Sequence, residues 1–242
     1  MHIKQSISDL MHRRYVDQTL VLPEYNASAD FEWIRSHSQL PWLELAISVP
    51  VDIILSEIKN IESLCVDHRE DYNEHAGWSS FCIHGKAYDA TREHSHYADS
   101  RPYVWTAEAQ ELMPETVNYF KNVWPSSGYQ RLRVMRLAPG GYVTIHKDTS
   151  VSSLWPINIA ITQPDNCDFV MARHGRVPFQ PGSAMLLDIS NNHVVCNHSD
   201  QTRWHLIVHQ SFDNTDFHKL VVNSYQLLYN KHNDTMPNHH PG

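Results

Sequence analysis

Residues 129–146 read YQRLRVMRLAPGGYVTIH, and the reading of this stretch decides the fold. Arg131, Arg133 and Met135 fall on one side of an extended chain, because side chains alternate with a period of two. The run Pro139-Gly140-Gly141 is a turn signal, so the stretch is expected to hold two strands, Gln130–Leu137 and Tyr142–His146. The same texture continues downstream. Further strands are expected at Trp155–Thr162, Cys167–Ala172, Ser183–Ile189, His193–Cys196 and Thr202–Phe212. Turn formers separate them: Pro164-Asp165-Asn166, His174-Gly175, Pro181-Gly182 and Ser190-Asn191-Asn192. Many short strands at this spacing point to a jelly-roll, cupin-like β core.

Around this block the pattern turns helical. Ser6–Tyr15 reads as a short helix inside an otherwise irregular first 50 residues. Pro50-Val51-Asp52 opens an amphipathic helix with Ile53, Ile54, Ile58, Ile61 and Leu64 at helical intervals. Asp52 and Glu57 lie where a helix dipole favours acids. Gly77–Gly85 reads as a strand, and Lys86–Ser100 as a polar, mobile loop. Thr106 is placed to cap a helix running to Trp124, with Pro114 as a break. Asp216–Tyr229 is helical again, and Asn230–Gly242 is a polar tail expected to be disordered. The expected organisation is thus an N-terminal helical and loop segment (1–128), a β core (129–212) and a C-terminal helix with its tail (213–242). These should form one structural domain. The class is mainly β with flanking helices.

Composition excludes several functions. The 242 residues carry a formal charge of −8 and no cluster of Lys and Arg. A nucleic-acid partner is therefore not expected, since phosphate binding needs clustered cations. Cys65, Cys82, Cys167 and Cys196 lack C-x-x-C spacing, which argues against a zinc site and a disulfide framework. The start, Met1-His2-Ile3-Lys4-Gln5, has no apolar leader segment, and no run approaches about 18 apolar residues. No membrane association and a cytoplasmic location are the expectations. Most of the 18 histidines lie in polar surroundings and read as solvated.

Two histidines stand apart. His146-Lys147-Asp148 offers an imidazole and a carboxylate at i and i+2, the same side of an extended chain. His193 adds a second imidazole. Two His and one carboxylate are the set that holds non-haem Fe(II) on one face and leaves positions open for a co-substrate and dioxygen. Ten residues beyond His193, Arg203 sits in the apolar run Trp204-His205-Leu206-Ile207-Val208. A guanidinium there needs an anion, and the distal carboxylate of 2-oxoglutarate is a bidentate match. An internal carboxylate is the competing partner.

Other positions admit two readings. His198 rivals His193, but Asn197-His198-Ser199-Asp200 looks like a turn. Asn158 lies on the strand after the first His. By alternation Trp155 then faces the opposite way and reads as core. Arg133 is a candidate for a substrate carboxylate, with a sheet-surface salt bridge as its alternative.

Residues 131–212 resemble the aspartyl/asparaginyl β-hydroxylase-like family of Fe(II)/2-oxoglutarate-dependent dioxygenases, which includes some free-proline hydroxylases. The resemblance is carried by Leu137-Ala138-Pro139-Gly140-Gly141, by Leu187-Asp188-Ile189-Ser190-Asn191-Asn192-His193, and by Arg203-Trp204-His205-Leu206. It implies a double-stranded β-helix core, with His146, Asp148 and His193 as iron ligands, Arg203 on 2-oxoglutarate, and Asn158 at a position that in relatives touches 2-oxoglutarate or substrate. Some relatives use two His and no carboxylate, whereas this chain has Asp148. The implied reaction is hydroxylation of an unactivated C–H bond in an amino acid or an Asp/Asn-type side chain, free or in a peptide. Fe(II), 2-oxoglutarate and dioxygen are the implied cofactor and co-substrates. The alternative is a non-oxidative cupin-like barrel that binds a metal or small ligand.

Overall fold

The stretch from Tyr129 to His146 is one strand, not two. The computed structural model describes residues 2–68, 75–90 and 100–235, with side chains from 6 to 232. Among these residues the strands are β1 (Trp42–Glu44), β2 (Val66–Asp67), β3 (His75–Gly85), β4 (Val104–Trp105), β5 (Tyr129–His146) and β6 (Ile157–Ala160). They continue with β7 (Cys167–Met171), β8 (Gly175–Arg176), β9 (Ala184–Leu187), β10 (His193–Asn197) and β11 (Arg203–Gln210). The helices are α1 (His2–Tyr15), α2 (Phe31–His37), α3 (Val51–Ile61), α4 (Ala107–Leu112), α5 (Pro114–Asn122) and α6 (Thr215–Thr235).

The strands are antiparallel and join in the order β1-β9-β6-β11-β5-β10-β7-β8, with β3 on the other edge of β5. The long strand β5 explains the curl. Its first part, up to Leu137, pairs with β11, and its second part, from Tyr142, pairs with β10. Pro139-Gly140-Gly141 lies where β5 passes from one neighbour to the other, so the expected turn is a corner within a strand. Gly140 has φ +70° there, and a Cβ on Gly141 would stand 2.7 Å from the Ala138 carbonyl oxygen. The corner therefore tolerates no side chain at position 141. Asn197, at the end of β10, fastens it by donating to the carbonyls of Leu137 and Ala138, each at 3.1 Å. The result is a curled double-stranded β-helix with flanking helices.

Alternation sorts the side chains of this curl. Trp204, Leu206 and Val208 of β11 join Leu132, Val134, Ile157 and Ile159 in the main core beneath the helices. The other face of the same strands lines a cavity. The core is closed by α3, whose Ile54, Ile58 and Ile61 are at most 1% exposed. Each such side chain contributes about 1.5–3 kcal/mol of burial. Glu57 of α3 does not serve its own helix. Its carboxylate accepts from the backbone amides of Glu115 and Thr116, both at 2.9 Å, and from the Thr116 hydroxyl at 2.6 Å. It thereby caps α5, which has no side-chain cap of its own.

The helices at Ser6–Tyr15, from Pro50 and from Thr106 are present, with Thr106 accepting from the Ala109 amide and the break at Pro114. Two further expectations change. Residues 1–50 hold α2 and β1 as well, and β1 pairs with β9 through Trp42–Leu187. The C-terminal helix runs to Thr235 instead of ending at Tyr229, while residues 236–242 of the expected tail lie outside the described residues. Most of the expected Lys86–Ser100 loop, residues 91–99, also lies outside them. No helix among the described residues is long and apolar enough to cross a membrane.

Candidate active site

His146 and His193 are cross-strand partners, the last residue of β5 opposite the first of β10. Their rings lie 4.2 Å apart between centroids. Asp148 joins them from beyond the end of β5, so it is not the strand residue that its spacing implied. Its backbone amide donates to the Ile189 carbonyl at 3.0 Å, which brings the carboxylate back over the strand ends. Asp148 Oδ1 is 3.6 Å from His146 Nε2, and Oδ2 is 3.7 Å from His193 Nε2. The three donor atoms lie within 4.8 Å of one another.

The donors are oriented by neighbouring carbonyls. His146 Nδ1 donates to the Thr144 carbonyl at 2.7 Å and His193 Nδ1 to the Asn191 carbonyl at 2.9 Å. Both imidazoles therefore turn Nε2 toward Asp148, the tautomer a metal ligand requires. Burial, and then the neighbouring His146, push His193 down to about 4, so it stays neutral. Asp188 explains the turn before His193. It accepts from the Ser190 amide at 3.0 Å and hydroxyl at 2.6 Å, and from the Ser152 hydroxyl at 2.6 Å. One carboxylate thus braces the His193 turn and the loop following Asp148.

This cluster opens into a cavity of about 230 Å³. From β11 it is lined by Arg203, His205, Ile207 and His209, and from β5 by Arg131, Arg133 and Met135. Arg203 is buried, and among the described residues no carboxylate lies within ion-pairing distance. The internal partner held open by the sequence is therefore not found there. Its Nη2 donates to His205 Nδ1 at 2.9 Å, and its Nε has no hydrogen-bond partner. Burial pulls Arg203 down to about 10. His205 Nε2 in turn donates to Gln163 Oε1 at 3.1 Å. Burial, and then the Arg203 charge, hold His205 well below the usual imidazole range. A neutral His205 is what lets Nδ1 accept from Arg203.

Asn158 lines the cavity, and so does Trp155. Alternation does not separate the two, because Trp155 precedes β6 and is held by an isolated bridge to Asp188. Arg133 lies beside His68, Nη1 to Nε2 at 3.4 Å. His198 is not with His146. It lies on the outside of the barrel near Asp9 and His12. His205, Gln163 and Arg131 were missed as site residues. The period of two along β11 was the available signal for His205, since it shares the face of Arg203.

The model of the family described as aspartyl/asparaginyl beta-hydroxylase matches residues 51–211, about two thirds of the chain. No curated protein matches the chain in sequence. Among solved structures, an oxidoreductase of the 2OG-Fe(II) oxygenase family from Burkholderia pseudomallei is 12% identical with a TM-score of 0.49, covering 82% of this chain and 97% of its own. A prolyl-4-hydroxylase from Pseudomonas putida is 12% identical with a TM-score of 0.40, covering 75% of this chain and 97% of its own. HygX from Streptomyces hygroscopicus, with nickel and 2-oxoglutarate bound, is 9% identical with a TM-score of 0.43, covering 78% of this chain and 89% of its own. With the family match spanning helices as well as the β core, the chain belongs to the aspartyl/asparaginyl β-hydroxylase family.

Proposed function

We propose that the protein hydroxylates an unactivated C–H bond of an amino acid or of an Asp/Asn-type side chain, with conversion of 2-oxoglutarate to succinate. The observation that carries this reading is Arg203. It is a buried cation without a carboxylate partner among the described residues, facing the same cavity as the His146–Asp148–His193 cluster. A non-oxidative metal-binding barrel gives that guanidinium no role. The donor set fits iron(II): two imidazoles whose Nε2 atoms are turned to the centre, and one carboxylate, on one side of it. His146, Asp148 and His193 would hold the metal. Bound there with 2-oxoglutarate and dioxygen, it supplies the oxidative decarboxylation that drives hydroxylation.

The protein's own part is binding and orientation. Arg203, steadied by His205, takes the distal carboxylate of 2-oxoglutarate, and Asn158 is a further polar contact for it. At the far end of β11, His209 pairs in register with Arg131. Arg131 is buried, lines the cavity and has no ion pair or hydrogen bond among the described residues. With Arg133 beside it, this end suits a substrate carboxylate. Among the described residues Asp148 is the one acid lining the cavity, against several arginines, so an anionic substrate is favoured over a cationic one. The test is anaerobic loading with Fe(II) and 2-oxoglutarate, followed by aerobic screening of free amino acids and Asp- or Asn-containing peptides for succinate release. Failure of every acidic or zwitterionic substrate to stimulate succinate, alongside absence of iron-dependent basal turnover, would overturn the reading.

A further inference from the structure

Outside the barrel, α1 lies against β10, β7 and the second half of β5. The contact is apolar where Met11 meets Tyr142, Val170, Val194 and Cys196. Beside that apolar patch several metal-ligating side chains converge. Asp9 and His12 are three apart on α1 and so share a helix face. Cys196 lies on β10 and His198 just past its end, and their donor atoms come close to each other. Cys196 pairs in register with Asp168 of β7, whose side chain comes up on the same face.

The roles within this group separate cleanly. Asp168 is fully engaged, with Oδ1 accepting from Arg176 Nε at 2.6 Å and Oδ2 from His12 Nε2 at 2.7 Å. Beside it stand Asp9, Cys196 and His198, whose carboxylate, thiol and imidazole donor atoms lie within 4.8 Å of one another. His198 Nε2 is 4.0 Å from Asp9 Oδ1, and the His12 ring stands edge-on to the His198 ring at 5.3 Å. We infer that Asp9, Cys196 and His198 form a second metal site, of zinc type, that fastens α1 to the outside of the barrel.

The chemistry of the donors supports zinc over the iron of the first centre. A thiolate, an imidazole and a carboxylate are the ligand types zinc takes in four-coordinate sites, and the thiolate selects against harder cations. One carboxylate and one thiolate also neutralise a divalent ion. Three protein donors leave the fourth position to water, with His12, held by Asp168, forming one wall. The absence of C-x-x-C spacing hides such a site, because its donors come as one helical Asp and a C-x-H pair where a strand ends.

The test is a titration of the metal-free, reduced chain with Co(II) in the absence of oxygen. The wild-type chain should take up two cobalt ions, with a thiolate-to-cobalt charge-transfer band in the near ultraviolet. Cys196→Ala should lose one ion and the band. His198→Ala, at an exposed position whose change does not disturb the core, should weaken that ion by at least about tenfold. His193→Ala should lose the other ion and keep the band. Zinc should also raise the melting temperature of His193→Ala and not that of the His193→Ala/His198→Ala double variant. No charge-transfer band in the wild-type chain, or a band that survives Cys196→Ala, overturns the proposal. Either result stands apart from the fate of the first centre, which is read by the ion that His193→Ala removes.

Discussion

Replacing Arg203 by alanine separates binding of 2-oxoglutarate from binding of the metal. At about 1.4 kcal/mol per pKa unit, burial that pulls Arg203 from 12.5 down to about 10 costs the charged form about 3 kcal/mol. An incoming carboxylate can recover a gain of that order by pairing with the guanidinium through its unpartnered Nε and a neighbouring amino group. The expected loss of 2-oxoglutarate affinity in Arg203→Ala is therefore on the order of a hundredfold, within the ~2–5 kcal/mol typical of a broken buried charge pair. Arg203→Lys should lose about tenfold, because an ammonium cannot meet His205 Nδ1 and both carboxylate oxygens together. Without ligand, Arg203→Ala should melt close to the wild-type temperature. Relief of the buried charge offsets the packing lost against Phe179, over whose ring the guanidinium lies at 5.8 Å. The assay is calorimetry of 2-oxoglutarate on the Mn(II)-loaded proteins without oxygen, with metal content measured on the same samples. Wild-type affinity in a folded, metal-loaded Arg203→Ala protein refutes the reasoning.

Four further outcomes are expected. His146→Ala and His193→Ala should each abolish iron-supported succinate formation, checked by turnover and metal content together. Asp148→Ala should weaken iron binding and strongly reduce hydroxylation, since the metal loses its anionic protein ligand; unchanged affinity and rate would place the chain with the two-His relatives. His205→Leu should raise the Michaelis constant for 2-oxoglutarate about tenfold with metal affinity unchanged, because Arg203 Nη2 loses its acceptor. The metal-free protein should lose stability in acid. His193 is held at about 4 against 6.5, so between these values the unfolded chain binds more protons. The contribution is present above pH 6.5 and lost as pH falls through about 4, amounting to about 3 kcal/mol. His205 adds to it in the same direction, and denaturant titrations between pH 4 and 7 measure the slope.

How much of this was legible in the sequence depends on the range of the interaction. Local signals read well: the Thr106 cap and the Pro114 break both reappear in the structure. The elements missed in the first 50 residues are held by distant partners. β1 exists because Trp42, Leu43 and Glu44 pair with β9, and three residues carry no pattern of their own. Glu57 likewise answers amides more than fifty residues away, which no local rule for helix dipoles reveals.

The corner at Pro139-Gly140-Gly141 shows how a correct local signal can be assigned the wrong consequence. Glycine freedom at position 140 and the close approach at 141 are real, yet the strand does not reverse. It continues, because both of its parts find hydrogen-bonding partners, β11 before the corner and β10 after it. A reversal would pair Leu137 with Tyr142. The observed course pairs Leu137 with Arg203 and His146 with His193. The guanidinium and both imidazoles are thereby set by a single strand, and the cavity lies between the two strands that it joins. Asn197, tied to the corner carbonyls from the end of β10, then fixes the geometry from the other side. Asn197→Ala should leave each ligand in place while loosening the corner that relates them. Iron affinity should then hold near the wild-type value while the Michaelis constant for 2-oxoglutarate rises. A variant that lost iron and 2-oxoglutarate in equal measure would show that the corner supports the whole barrel and not the relation between its two binding groups.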